Sequence, residues 1–221
     1  MNDLTWSWLG RRDYGTTWAQ QQERRRAVIE RTKPETVWLL EHEPTITTGR
    51  RAVPDLPSAE RLKDRGIELF QTERGGLATY HGPGQLMVYA IIDCWRRGLG
   101  AKMAVRTMEG AILDWLRELN IDGQRRAGFP GIWVGTNKIA AIGMHFRSGV
   151  SMHGAAIYLT NEPSGFDLIT PCGVTDGGLT TVETESGRRL PTRDAAPQFA
   201  EHLLQNFRDP ECLRSCTINE A

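Results

Sequence analysis

Two residues of this 221-residue chain could do chemistry, one as a nucleophile and one as a base. Cys172 sits in "ITPCGV", between Pro171, which fixes the backbone before the sulfur, and Gly173, which lets another molecule come close to it. A loop thiol of that kind can be reached by a substrate. Lys138 heads "KIAAIGMHF", and a lysine taken out of water gives up its proton readily enough to act as a base. Each has a plainer reading: a strand-end lysine reaches water along its own methylenes, and most lone cysteines are inert core residues. With period-two alternation Lys138 shares the more apolar face with Ala140, Ile142, Met144 and Phe146, while Ile139, Ala141, Gly143 and His145 point the other way.

A third stretch, "TERGGLATYHGPGQLMVYAIID", puts two glycine pairs and the Tyr80-His81 pair just before an apolar run. It lacks the Gly-Lys-Ser/Thr of a phosphate loop and the spacing of a dinucleotide fingerprint. Its composition suits a backbone lying against a slender ligand. His81 and His153 are each followed by glycine, which leaves room beside the ring. His42 and His145 read as structural, and His202 as a surface residue of a helix. Cys94 reads as core. Cys212 and Cys216, four apart near the end, have no histidine or second pair beside them, so no metal site is expected.

The elements that must position these groups alternate in type. Residues 14–32 read as a helix closed by Lys33-Pro34, "TVWLLEHEP" as a buried strand, 45–58 as a loop, "SAERLKDRG" as a short helix and "IELFQT" as a strand. "LMVYAIID", apolar on both faces, reads as a central strand. Residues 102–120 carry a helical stripe through Val105, Met108, Ile112, Leu116 and Leu119. A three-strand meander over "GFPGIWVGTNKIAAIGMHFRSGVSMHGAAIYLTNEP", a loop containing Cys172 and a closing amphipathic helix follow. The fold class is α+β, a mixed sheet with packed helices, expected as a single domain over 1–221.

Acids and bases balance at 27 each, which argues against nucleic acid or an anionic membrane as partner. Lysine supplies only four of the cations. Arg11 and Arg12 are not followed by an apolar export segment, so a reducing cytoplasm is the expected setting.

Taken in order, "RGGLATYHGPGQLMVY", "NKIAAIG", "SMHGAAIYL" and "TPCG" resemble the motifs of the octanoyltransferases of lipoate synthesis. The resemblance implies a fold similar to the catalytic domain of the biotin and lipoate protein ligases. It also implies a reaction in which octanoyl passes from the phosphopantetheine thioester of acyl carrier protein to a lysine of lipoyl domains, in 2-oxoacid dehydrogenase complexes and the glycine cleavage H protein. That chemistry needs no separate cofactor or metal. By the same resemblance Cys172 is the nucleophile and Lys138 its base. Arg74, Gly75, Gly76, Leu77, Ala78, Thr79, Tyr80, His81, Ala141, Ile142, Gly143, Gly154, Ala155 and Ala156, with His153, line the acyl site, where Tyr80 and His81 would close it near the reacting carbonyl. Thr170 stands where such relatives often carry asparagine. An ATP-dependent ligase would work without Cys172, a cysteine thioesterase would release free acid, and an acyl-binding module would form no covalent adduct.

Overall fold

The computed structural model describes residues 4–51, 56–160, 165–169 and 177–208. Its main feature is a seven-stranded mixed sheet made of β1 (Thr5–Arg12), β2 (Thr36–His42), β6 (Gln85–Ile91), β7 (Gln124–Arg126), β8 (Phe129–Val134), β9 (Asn137–Arg147) and β10 (Val150–Tyr158). The spatial order is β1-β2-β6-β10-β9-β8-β7, with β1 and β2 parallel and the other neighbours antiparallel. A smaller sheet places β3 (Thr45–Thr48) between β4 (Glu68–Gln71) and β5 (Thr79–His81). The expected α+β mixture is therefore present. The strands at Thr5–Arg12 and Thr45–Thr48 are additions to it, the second lying where 45–58 reads as loop.

The central strand explains the layering. Alternate residues Leu86, Val88 and Ala90 enter a large apolar core, and Met87 and Tyr89 point to the opposite face with Leu40, Ala156 and Tyr158. Helices α3 (Ala101–Glu118) and α5 (Thr192–Arg208) cover the first face, with the α3 stripe Ala104, Met108, Ala111, Ile112 and Trp115 wholly buried. The second face is covered by α1 (Tyr14–Ile29) and by the small sheet, against which α2 (Ala59–Asp64) packs.

Helix α1 is started by the Asp13 carboxylate, which accepts from the Thr16 amide at 2.7 Å. It buries Tyr14, Thr17, Gln21, Arg25 and Val28, one face at helical spacing but mostly polar. A polar stripe is stable there because the sheet surface beneath it offers partners: Gln21 Oε1 accepts the His153 amide at 3.0 Å.

A bulge decides where Lys138 points. Trp133 pairs with Lys138 and Ile132 with Ala140, leaving Ile139 as an extra residue on β9. Ile139 and Ala140 both enter the α3/α5 core. Lys138 consequently stands on the other face, that of Ala141 and Gly143, which corrects the strict alternation that grouped it with Ala140, Ile142 and Met144.

Candidate active site

Strands β9 and β10 lie side by side with Gly143 opposite Gly154, Ile142 opposite Ala155 and Ala141 opposite Ala156. Small residues keep their backbones bare, and a narrow slot of ≈ 50 Å³ opens over them. Gly154 is obligatory: its φ is +156°, and a β-carbon there would stand 2.1 Å from the Val88 carbonyl oxygen. Next to it His153 holds a φ of +60°, a left-handed conformation that non-glycine residues adopt mostly where function or packing imposes it.

Twelve residues expected at the acyl site line this slot: Arg74, Gly75, Gly76, Thr79, His81, Ala141, Ile142, Gly143, His153, Gly154, Ala155 and Ala156. Leu77, Ala78 and Tyr80 do not. Tyr80 is buried in a satellite core with Ile46, Leu62, Ile67 and Leu168 and meets Phe166 edge-on, so it does not close the slot. Tyr14, Met87 and Tyr89 complete the lining and were not anticipated. Met87 and Tyr89 could have been found from the alternation of the central strand. Tyr14, at the start of a helix, carries no such signal.

The glycine loop owes its shape to Arg74, which is buried and donates to the Gly75 and Leu77 carbonyls at 2.9 and 2.7 Å and to the Thr47 carbonyl at 2.7 Å. Thr47 Oγ1 also accepts from the Arg74 Nε at 3.1 Å and shares a hydrogen bond with His81 Nε2 at 3.2 Å. The His81 ring stacks on Tyr14 with centroids 6.0 Å apart. Burial, then the charge it would share with His42 and Arg74, holds its pKa well below the usual histidine value.

At the far end of β9 from Lys138, Glu73 accepts from the Trp18 indole at 3.2 Å and lies 3.8 Å from Arg25 and 3.7 Å from His153. Burial alone would raise the Glu73 pKa; bonding to His153 and the backbone, with the Arg25 charge, takes it down to about 2. His153 is itself lowered, burial outweighing the hydrogen bond and charge of Glu73. Arg25 also donates to His145 Nδ1 at 2.7 Å.

His42 lies behind the slot, fully buried, donating from Nδ1 to the Arg12 carbonyl at 2.9 Å and accepting from the Tyr89 hydroxyl at 2.7 Å. Both bonds fit the neutral ring. Burial lowers its pKa to about 4 against the opposing pull of the Arg12 carbonyl and Asp13. Between about 6.5 and 4 the unfolded chain binds a proton at this residue that the folded chain refuses, so stability is lost as pH falls, by on the order of 3 kcal/mol across that window. Urea midpoints for His42→Asn are expected to fall less steeply with pH than those of the wild type. Equal slopes would refute the assignment.

Lys138 is 4% exposed, with its ammonium 4.7 Å from the Trp133 ring centre. Its backbone pairs with the segment that follows the catalytic-loop candidate: Lys138 N donates to the Gly178 carbonyl at 2.9 Å and Thr180 N to the Lys138 carbonyl at 3.0 Å. It does not line the slot, but it begins the strand whose residues 141–143 do. Cys172 lies outside the described residues, as do Cys212 and Cys216. Cys94 is buried, and burial pushes its thiol up to about 11, as suits a core cysteine. Among the described residues no helix is long and apolar enough to cross a membrane.

Residues 13–204 match the family model of the lipoyl protein ligase A/B catalytic domain. The octanoyltransferase of Dechloromonas aromatica is 37% identical over 200 residues, 90% of this chain and 94% of that one. That of Chloroflexus aurantiacus is 40% identical over 212 residues, 92% of each. Among solved structures, a lipoate-protein ligase A bound with ATP superposes with a TM-score of 0.68 at 17% identity, covering 93% of this chain and 83% of that one. The biotin protein ligase of Aquifex aeolicus gives 0.53 at 11%, covering 93% and 69%. These structures share the fold.

Proposed function

Because the chain belongs to the lipoyl protein ligase A/B catalytic domain family and is an acyltransferase, we propose that it moves octanoyl from an acyl carrier protein thioester to a lysine amine of a lipoyl domain, through an acyl-enzyme on Cys172. The observation that carries this reading is the slot over the bare backbone of 141–143 and 154–156, on the strand that Lys138 begins. The slot marks the path of an extended alkyl chain, and burying seven methylene and methyl groups along it contributes on the order of 5 kcal/mol. Six positions separate Cys172 from Gly178, whose carbonyl accepts from the Lys138 backbone amide, so the chain is short enough for the thiol to reach the Lys138 amine.

In the first half-reaction Lys138 takes the thiol proton, the sulfur attacks the thioester carbonyl, the carbon–sulfur bond to the carrier breaks, and the Lys138 ammonium protonates the departing thiol. In the second, the acceptor amine attacks the acyl-enzyme carbonyl, the amide forms as the carbon–sulfur bond to Cys172 breaks, and the amine proton passes through Lys138 to the departing Cys172 thiolate. One thioester replaces another, so the cycle consumes no ATP. Incubation with octanoyl carrier followed by intact-protein mass spectrometry tests the reading. An octanoyl increment that maps to Cys172 and is discharged by a lipoyl domain supports it; no covalent increment overturns it.

The slot supplies a second test. Gly75 has no left-handed backbone, and a β-carbon there would meet only the Met144 carbonyl oxygen, at 3.6 Å. Gly75→Val is expected to melt near the wild-type temperature and to lose octanoyl transfer at least about tenfold, comparable to forfeiting two buried methylenes. Gly76, at a φ of +94°, would confound the test with backbone strain. A Gly75→Val enzyme with undiminished transfer would show that the acyl chain lies elsewhere.

A further inference from the structure

Beyond Gly143 and Gly154 one side chain separates the slot from open space. Along the paired strands away from Lys138, Ala141 lies opposite Ala156, Gly143 opposite Gly154, and then Met144 opposite His153. There the bare backbone ends, and the His153 ring lines the slot. The residue is 2% exposed, and its Nε2 lies 3.7 Å from the Glu73 carboxylate. Glu73 does not line the slot. Together with Arg25 and Arg147 it lines a separate cleft of ≈ 830 Å³ between α1 and the Arg147-Ser148 turn. The imidazole therefore stands between a narrow slot and a wide charged cleft.

The slot's other aromatic walls are backed by packed protein. Tyr89 gives its hydroxyl to His42, and the Tyr14 ring lies 5.0 Å from that of His42 and 5.1 Å from that of Phe70. Behind His153 lies the cleft. Its backbone is also special: a φ of +60° costs a residue with a β-carbon energy that glycine is spared, and such strain is retained where the side chain it places is needed. The conformation is held from outside the ring, since the His153 amide donates to Gln21 Oε1 at 3.0 Å.

We propose that His153 is the length stop of the acyl slot: the terminal methyl of an eight-carbon chain meets its imidazole, and the ring refuses longer chains. The proposal rests on the octanoyl reading above. It gives His153 a part in chain-length selection and none in the proton transfers, because it stands at the far end of the paired strands from Lys138.

The test measures kcat/KM for transfer from octanoyl and decanoyl acyl carrier protein by wild type, His153→Gly, His153→Asn and Glu73→Gln, with circular dichroism as the check on folding. Glycine suits the left-handed backbone and keeps the amide that bonds to Gln21, and asparagine tolerates the same φ with a shorter side chain. In His153→Gly the decanoyl to octanoyl ratio is expected to rise at least about tenfold, because two further methylenes occupy the space that the ring leaves. His153→Asn should shift the ratio the same way by less. Glu73→Gln removes the charge behind the ring but not the ring, and should leave the ratio within about twofold of wild type. A folded, active His153→Gly with the wild-type ratio overturns the length stop; should that variant be unfolded or inert, a wild-type ratio in His153→Asn does so. An equal rise in Glu73→Gln would assign the selection to the charge and likewise overturn it. Failure of the wild type to transfer from either donor would instead remove the octanoyl reading, and the length stop with it.

Discussion

Cys172→Ala is expected to keep the fold and to lose octanoyl transfer by more than about a thousandfold, the scale seen when a covalent nucleophile is removed from a catalytic set. The octanoyl mass increment should vanish with it. Cys172→Ser should fare little better, because a hydroxyl needs far stronger activation than a thiol to act at neutral pH. Cys94→Ala is the matched control: that thiol is buried and its pKa is raised to about 11, so transfer should be undiminished. The measurement is single-turnover transfer from octanoyl carrier to a lipoyl domain, beside intact mass. Transfer by Cys172→Ala that requires ATP would point to an adenylate route of the ligase kind, and ATP-independent transfer by the same variant would leave the acyl-enzyme without support.

Much of the slot was legible because its requirements are compositional. Bare backbone needs glycine and alanine, so the runs at 75–76, 141–143 and 154–156 announce themselves in sequence. The central strand and the α3 stripe are equally plain, since both are apolar at a fixed period. What failed to read was whatever depends on a partner. Helix α1 buries Gln21 and Arg25, so its buried face looks like a solvated one until the sheet that satisfies it is known. Tyr80 and His81 are neighbours in β5, and adjacent strand residues point to opposite sides. Only one of them could face the slot; the other fills the satellite core. The direction of Lys138 depended on one extra residue in β9, and a bulge of that kind leaves no trace in hydrophobic alternation.

That direction bears on the second large effect, because Lys138 has two separable tasks in the proposed cycle: its charge favours a thiolate, and its proton must move off and on. The Trp133 ring centre lies 4.7 Å from the amine, a face that would accommodate a cation at this position whether lysine or arginine carries it. Arginine at 138 would preserve that charge but stay protonated at any working pH, and so could neither accept nor return a proton. Lys138→Arg is therefore expected to alkylate at Cys172 with iodoacetamide at neutral pH, yet to lose at least about a hundredfold in octanoyl transfer, the lower bound for deleting a general acid–base group. Lys138→Ala should lose both, since no cation then lowers the thiol pKa. A pH series of alkylation rates beside single-turnover transfer for the three proteins separates the two tasks. Near-wild-type transfer by Lys138→Arg would sink the base assignment, while an alkylation profile unchanged in Lys138→Ala would show that thiol and amine do not act together at all.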